Sequence, residues 1–350
     1  MRENIRLAND HIHSNSAPLI SATAAFGESA PHPQLSVVVP FLNEQETLPL
    51  LKERLRTLAD LPETYEFVFV SDGSTDRSVM FIEQWAAEDP RVKLVVFTRH
   101  FGHQPAVCAG LEFAQGDYVA IIDADLQDPP ELMLEMYHMA RAEALDVVFS
   151  VRERRDTSPV KRLAYCSFYR LYSYLAESPV NVDSGDFSVL SRRAVHELLA
   201  LPERVRFVRG LRSWLGLRSK AVRTTRPERA AGRPQYSWSK LISLAVRGIT
   251  SFSTRPLRLA TLGGLLLCTV ALLLSLVYAG YWVFGGLHEK LPGFTTIVVL
   301  MLFLHGVQFL LVGIVGEYVG QIFTEVKQRP VFVVDHTINL PPRPYSSPDW

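Results

Sequence analysis

The sequence predicts an α/β domain with a mostly parallel sheet, followed by an interfacial helix region and a two-helix membrane hairpin. Three observations predict it. Short β-branched or apolar runs alternate with helix-length stretches from Leu35 onward, polar side chains cluster where those runs end, and two late segments carry no formal charge over lengths that cross a bilayer.

Residues 1–33 are polar, mixed and proline-bearing, with no apolar stretch of signal-peptide length. They read as a disordered leader rather than an export signal. From there the pattern changes. "LSVVVP" (35–40), "YEFVFVSD" (65–72), "VKLVVFTR" (92–99), "DYVAIIDAD" (117–125) and "DVVFSVR" (146–152) are too continuously apolar for strands with one wet face. Helical stretches at 44–59, 76–87, 103–115 and 130–144 separate them, so the runs read as βαβ units of one domain over residues 34–235. In such sheets the site lies at the carboxyl ends of the strands. The polar clusters fall there: Asn43 and Glu44 after the first run, Asp72 after the second, and Asp123, Asp125 and Asp128 after the fourth.

Those three aspartates admit two readings, a solvated acidic turn or a cation site. Carboxylates at the end of a parallel strand suit Mg2+ or Mn2+ holding a diphosphate, and the polar groups on neighbouring strand ends favour that second reading. Asp125, with Asp123 or Gln127 beside it, would then coordinate the diphosphate. Asp72 in "VSDGSTD" suits acceptance from a base N–H, with Gly73 permitting a tight turn, while Ser74 or Asp76 caps the following helix. Asn43 and Glu44 suit either a helix cap or a ribose contact.

Composition narrows the function classes. The three cysteines, Cys108, Cys166 and Cys268, are far apart and form no C-x-x-C, which argues against a disulfide or zinc framework and for a reducing compartment. The zero net charge conceals an asymmetry. Residues 1–150 hold 10 Lys+Arg against 23 Asp+Glu, a net −13, and residues 151–258 hold 22 against 8, a net +14. A basic block of that size is either a solvated face or the seat of an anionic partner such as a phosphorylated substrate or lipid headgroups.

Residues 236–258 place Trp238, Leu241, Ile242, Leu244, Ala245 and Ile249 near helical spacing with Lys240 and Arg247 among them. They are either an ordinary amphipathic core helix or, next to a membrane span, a helix lying in the interface. Residues 259–284 are uncharged over a length of about 39 Å as a helix, against an apolar bilayer core of about 30 Å. Residues 294–316 contain one histidine, His305, expected to pack between the two helices, and no formal charge. Arg255 and Arg258 precede the first span and Lys327 and Arg329 follow the second. The positive-inside rule therefore puts both termini and the α/β domain in the cytoplasm, with 317–350 as a cytoplasmic, extended tail.

Read together, "VVVPFLNEQETL", "VFVSDGSTDRS", "TRHFGHQPAVCAGLEFAQGDYVAIIDADLQDPPEL", "DSGDFSVLSRRAV", "RFVRGLRSWLG", "GITSFSTRPLRL" and "GVQFLLVGIVGEYVGQIFTEVKQRP" resemble the polyprenyl-phosphate glycosyltransferases of glycosyltransferase family 2. That group includes bactoprenol glucosyltransferases and undecaprenyl-phosphate aminoarabinose transferases, and it is related to dolichol-phosphate mannose synthase. The resemblance runs over roughly residues 35–334. It implies a GT-A fold with a Rossmann-like sheet, a nucleotide-sugar donor with UDP-glucose first among them, Mg2+ or Mn2+, an inverting displacement and an undecaprenyl (polyprenyl) phosphate acceptor. It implies also a bacterial cytoplasmic membrane, a homo-oligomer (a tetramer), and a separate flippase and downstream transferase that use the lipid-linked sugar in the cell envelope.

Carried over by position, Pro40, Asn43, Glu44 and Asp72 line the nucleotide-sugar, and Asp123, Asp125 and Gln127 form the metal and diphosphate site. Asp186 in "SGDF" sits near the acceptor, and Arg152, Lys161, Arg162 and Arg209 surround the acceptor phosphate. Two positions depart from the family pattern. His100 stands where the family often has Asn, and "RPQY" (233–236) stands where it has a Ser/Thr-Lys-Tyr stretch, so that Arg233 takes the place of that lysine.

A lipid phosphate is already ionised near neutral pH, its second pKa being about 6. The nucleophile therefore needs alignment and charge compensation more than a strong base. On that reasoning Asp186 orients the basic cluster rather than abstracting a proton. Two competing functions are a processive polysaccharide synthase and a non-catalytic membrane scaffold or flippase partner. "RGLRSW" lacks the Q-x-x-R-W signature of the synthases and two spans line no polymer channel, while intact Asp72, Asp123, Asp125 and Gln127 argue against a vestigial domain. A nucleic-acid partner is disfavoured because the basic block adjoins the membrane segments.

Overall fold

Runs that are apolar on both sides can be stable only in the middle of a sheet covered on both faces, and that is where they lie. The structure is a computed structural model, and it describes residues 32–152, 184–204, 206–224, 254–284 and 294–340. The first half of the chain is β1 (Leu35–Phe41), α1 (Leu48–Arg56), β2 (Tyr65–Ser71), α2 (Ser78–Glu88), β3 (Val92–Phe97), α3 (His103–Phe113), β4 (Tyr118–Ile121), α4 (Pro130–Ala142) and β5 (Val147–Arg152). Then come β6 (Ser184–Ser191), α5 (Arg192–Ala200), α6 (Val208–Trp214), β7 (Ser219–Thr224), α7 (Arg255–Phe284), α8 (Phe294–Val326) and β8 (Val334–Ile338). Residues 1–31 of the expected leader, Lys161, Arg162, Arg233, residues 236–253 and the last ten residues lie outside the described residues.

The sheet runs in the order β7-β5-β6-β4-β1-β2-β3-β8. Its centre is parallel, β4 with β1, β1 with β2 and β2 with β3, and this is the mostly parallel GT-A arrangement the resemblance implied. Two strands run against it. β6 is antiparallel between β4 and β5, and β8 is antiparallel on the edge of β3.

Alternate residues of each central strand feed opposite cores, as the pleat requires. Val37, Val39, Phe67 and Phe69 pack with Leu48, Leu51, Trp85, Met133 and Tyr137 of α1, α2 and α4. Val38, Val68, Val70 and Val95 pack with Ala106, Val107, Leu111, Leu198 and Val208 of α3, α5 and α6. Helix α3 sits so close to β1 that a Cβ on Gly110 would lie 2.1 Å from Val38 Cγ1. That close approach seats the first turn of α3 over the carboxyl ends of the strands.

Helices α7 and α8 are of another kind. Each contains a window apolar enough to cross a membrane, Leu257–Leu274 at mean hydropathy 2.1 and Phe303–Val326 at 1.4, and none of either window is buried in the protein. Leu262, Leu265, Leu272, Phe303, Phe309 and Val312 all face outward, a surface suited to lipid rather than water. His305, expected between the helices, is exposed instead, its Nδ1 on the Met301 carbonyl at 2.7 Å.

Residues 317–340, expected within an extended tail, are instead largely helix and strand. Helix α8 continues to Val326, and Glu325 Oε2 there accepts the Arg204 backbone N–H at 2.9 Å. The chain then returns as β8, with Leu94 opposite Ile338 and Val96 opposite His336. An edge strand with unpaired backbone groups recruits any extended segment within reach. The run "FVVDHTI" is short and interrupted by Asp335 and His336, so its own periodicity does not announce it.

Candidate active site

Strand β1 directs the site. β4 pairs with it only as far as Val38, opposite Ile121, so Pro40 lies past the last β4 pair and its missing N–H breaks no ladder there. Sequential connections also reverse direction between β1 and β4, and the crevice at such a switch point is where open α/β sheets bind ligands.

On one side of the crevice three loops are stitched together. Asn43 has φ 56°, a left-handed conformation that Asn tolerates better than most residues. Its Oδ1 accepts the Thr75 N–H at 2.8 Å and its own N–H donates to Ser74 Oγ at 3.1 Å. The Glu44 N–H donates to Ser78 Oγ at 2.8 Å, and its Oε2 accepts from Thr47 Oγ1 at 2.7 Å. Neither residue caps α1. The N-cap is Thr47, followed by Pro49 in the first turn, a start signal that "TLP" already carried. The N-cap of α2 is Arg77 rather than Ser74 or Asp76, though Asp76 accepts the Ser78 N–H at 3.0 Å just ahead of the helix.

Asp72 is 3% exposed. Its carboxylate accepts Phe101 N–H at 2.7 Å and Gly102 N–H at 3.0 Å, and His100 Nδ1 lies 2.8 Å away. His100, the departure from the family pattern, is thus a partner of Asp72. Gly73 (φ +72°) lets the two loops touch, since a Cβ there would fall 2.5 Å from the Arg99 carbonyl carbon.

On the other side, β4 stops at Ile121, short of the expected 125, so Asp123 and Asp125 lie in the loop that follows it. Asp125 Oδ1 accepts the Gln127 N–H at 3.1 Å across Leu126, which sits at φ 61°. A bulky side chain in the left-handed region is strained, and such strain concentrates at functional sites. Among the described residues no three His, Cys, Asp or Glu side chains form a ready-made metal cage. Hard carboxylate oxygens on one loop still suit Mg2+ or Mn2+, because Mg2+ in particular is held by one or two carboxylates with substrate phosphate and water completing its shell.

The third cluster joins segments distant in sequence. Asp186 opens β6 with its side chain 8% exposed. Gln104 Nε2 donates to its Oδ2 at 2.9 Å, His103 Nε2 lies 3.4 Å from the same oxygen, and Arg209 Nε stands 3.5 Å from Oδ1. His103 Nε2 is also 3.7 Å from Asp123 Oδ1, so one imidazole spans the two acidic loops. Gln104 Oε1 accepts the Val208 N–H at 2.9 Å, which fixes the start of α6 and with it Arg209. Arg212, one turn on, is 5% exposed, donates to the Gly185 carbonyl at 3.4 Å and lies 4.8 Å over the Phe149 ring.

The electrostatics follow. Burial pushes the Asp186 carboxyl up, but the His103 hydrogen bond and the charges of Arg209, His103 and Arg212 overcome that and hold it at about 2. Burial disfavours a charge on His103, yet Asp186 and Asp123 hold its pKa above the ordinary value. Burial lowers the Arg212 pKa to about 10 against the pull of Asp186, so it stays charged. His103, Gln104 and Arg212 were not singled out by sequence reasoning. The only signal was the position of His103 and Gln104 at the start of a helix just past a strand end.

Of the other expected residues, Arg152 ends β5, and Asp72, Asn43 and Glu44 form a group separate from Asp186.

The sequence profile described as glycosyl transferase family 2 matches residues 36–199, from β1 almost to the end of α5. An uncharacterised glycosyltransferase of Bacillus subtilis is 39% identical over 88% of this chain and 95% of its own. The chain belongs to glycosyl transferase family 2. It is a glycosyltransferase, and its relatives in the family extend the likeness beyond the profile into the two long apolar helices. A prophage-derived bactoprenol glucosyl transferase of Shigella flexneri is 39% identical over 86% of this chain and 97% of its own. A prophage bactoprenol glucosyl transferase homologue of Escherichia coli is 37% identical over 86% and 98%. Among solved structures, a Pyrobaculum calidifontis mannosyltransferase in complex with GDP-mannose and Mn2+ aligns over 82% of this chain and 87% of its own, at 19% identity and TM-score 0.43.

Proposed function

We propose that this enzyme transfers one sugar from a nucleotide-sugar, UDP-glucose, to undecaprenyl phosphate at the cytoplasmic face of a bacterial membrane, with inversion. The observation that carries the reading is the Asp186 cluster. A carboxylate held at about 2 is a poor proton acceptor, whereas a carboxylate gathering Arg209, Arg212 and His103 beside Asp123 is a device for holding cations where two phosphorylated substrates meet. A phosphate nucleophile needs that arrangement and no strong base. The Shigella relatives named bactoprenol glucosyl transferases support the acceptor class and the sugar.

In the mechanism, Asp72 with the Asn43 and Glu44 loop orients the nucleotide end of the donor. Asp123, Asp125 and Gln127 would hold Mg2+ or Mn2+, which when bound neutralises charge on the departing nucleoside diphosphate. Asp186 and Gln104 fix α6 so that Arg209 faces the acceptor phosphate, and Arg152, Lys161 and Arg162 are the further cations we assign to that phosphate. The lipid-linked sugar then leaves for a flippase and a downstream transferase, and the enzyme itself works as a homo-oligomer.

The test is direct. Membranes containing the enzyme are incubated with radiolabelled UDP- and GDP-sugars and undecaprenyl phosphate, and the lipid is extracted. Label from UDP-glucose is expected in the lipid, and an unlabelled lipid with every donor would refute the reading. Arg209→Ala should weaken use of the lipid phosphate by about 1–3 kcal/mol, the scale of a charge-assisted contact, while donor hydrolysis by water changes much less. For orientation, a reporter at the C-terminus should be cytoplasmic and one inserted between Gly286 and Pro292 should lie on the far side. Both reporters on one side would mean that a span is peripheral.

A further inference from the structure

The segment beyond the second membrane helix does more than close the sheet. Val333 accepts the Thr98 N–H at 3.1 Å through its carbonyl, just before β8 begins. The Phe332 ring stacks on Phe97, centroids 5.0 Å apart and planes 11° from parallel. Phe97 in turn meets Phe101 edge to face at 5.7 Å and 86°. Phe101 is capped on another side by the Arg99 guanidinium, 3.9 Å from its centroid, and its own N–H donates to buried Asp72 at 2.7 Å.

Three aromatic rings therefore lead from the exit of the membrane helix to the loop that grips Asp72. The β3–β8 ladder shifts register between Val96 and Phe97 and resumes with Phe97 opposite Val334. The ring stack lies beside that irregularity and adds side-chain contacts to the backbone pairing there. Aromatic pairs are geometrically specific, and a flat stack sets both position and tilt.

We propose that Phe332 is a positioning residue for the nucleotide end of the donor site. It holds Phe97 and Phe101 so that the backbone N–H groups of residues 101 and 102 keep the Asp72 carboxylate in place. The inference rests on the proposed reading of the Asp72 pocket as the place where the nucleotide binds. It makes the C-terminal segment part of the donor site, although it follows the membrane helices in the chain.

The test uses the full chain in detergent or nanodiscs, with UDP as the probe in calorimetry and with steady-state kinetics in both substrates. Phe332→Ala should weaken UDP binding and raise the donor KM by about tenfold, the upper range for a lost aromatic pair. The lipid-phosphate KM and kcat should stay within about twofold. Phe332→Tyr, which keeps the flat ring, should restore binding. Phe332→Leu keeps apolar bulk without the stack, and it should weaken UDP in the same direction if the alanine variant fails to fold. His336→Ala breaks the contact of β8 with Glu83, 3.4 Å away, without touching the rings, and should bind UDP normally.

Unchanged UDP affinity in both Phe332→Ala and Phe332→Leu would overturn the inference. So would an equal loss in His336→Ala, since β8 would then act only as a general brace. Asp72→Asn separates the two levels. If it weakens UDP while the Phe332 variants do not, the relay alone is wrong, and if it too binds UDP normally, the nucleotide pocket has been misplaced and the relay falls with it.

Discussion

Asp125→Ala is expected to abolish sugar transfer while the protein remains folded and in the membrane. Asp125 lies in the loop after β4, where its carboxylate accepts the Gln127 N–H. Losing that local hydrogen bond costs about 1 kcal/mol of stability. Losing the charge removes a ligand from the group that would offset the departing diphosphate, and transfer should fall on the order of a thousandfold. Excess EDTA should silence the wild type in the same way. Transfer that continues in EDTA would remove the metal from the mechanism, and near-normal transfer by Asp125→Ala would move the site elsewhere.

Asp186→Asn should be the most damaging substitution in the acceptor half. It removes the carboxylate charge beside buried Arg212 and its neighbour Arg209, and breaking a buried pair from one side costs about 3–5 kcal/mol. The pH dependence has a definite sign. The folded carboxyl sits at about 2, below its ordinary 3.8. It therefore adds stability that is complete above the unfolded value and lost as pH falls from the one to the other. That contribution is of order 2 kcal/mol. Wild type should lose stability steeply in that acid window, and Asp186→Asn should lose less over the same range. Transfer by the folded variant, assayed well below its melting temperature, should be low at every pH from neutral to alkaline. A rate restored at high pH, with Arg209→Ala behaving as wild type, would make Asp186 a general base and would refute the charge-compensation reading.

Much of the candidate site could be read from the sequence because its parts are local. The D-A-D carboxylates, Asp72 and the Asn43–Glu44 pair each lie just past an apolar run, and strand ends can be read from the run itself. Of the two readings open for Asn43 and Glu44, the cap falls away because Thr47, before Leu48 and Pro49, is the helix start. Their hydrogen bonds go instead to Ser74, Thr75 and Ser78 on the next loop, a partnership that depends on β1 and β2 lying side by side.

What the sequence by itself determined is whatever hydropathy and periodicity control over a short window. These are the buried central strands, the helices between them, two membrane-length helices, and acid at the strand ends against a basic block beyond. Only the tertiary structure decided which distant segments meet. β6 inserts between β4 and β5, and this carries Asp186 to within reach of His103 and Gln104, more than 80 residues earlier in the chain. β8 docks on β3 because an open edge of unpaired N–H and C=O groups accepts any strand that reaches it, a selection no residue pattern encodes. The low pKa of Asp186 belongs to that assembly too, since a carboxylate buried alone would have moved the other way.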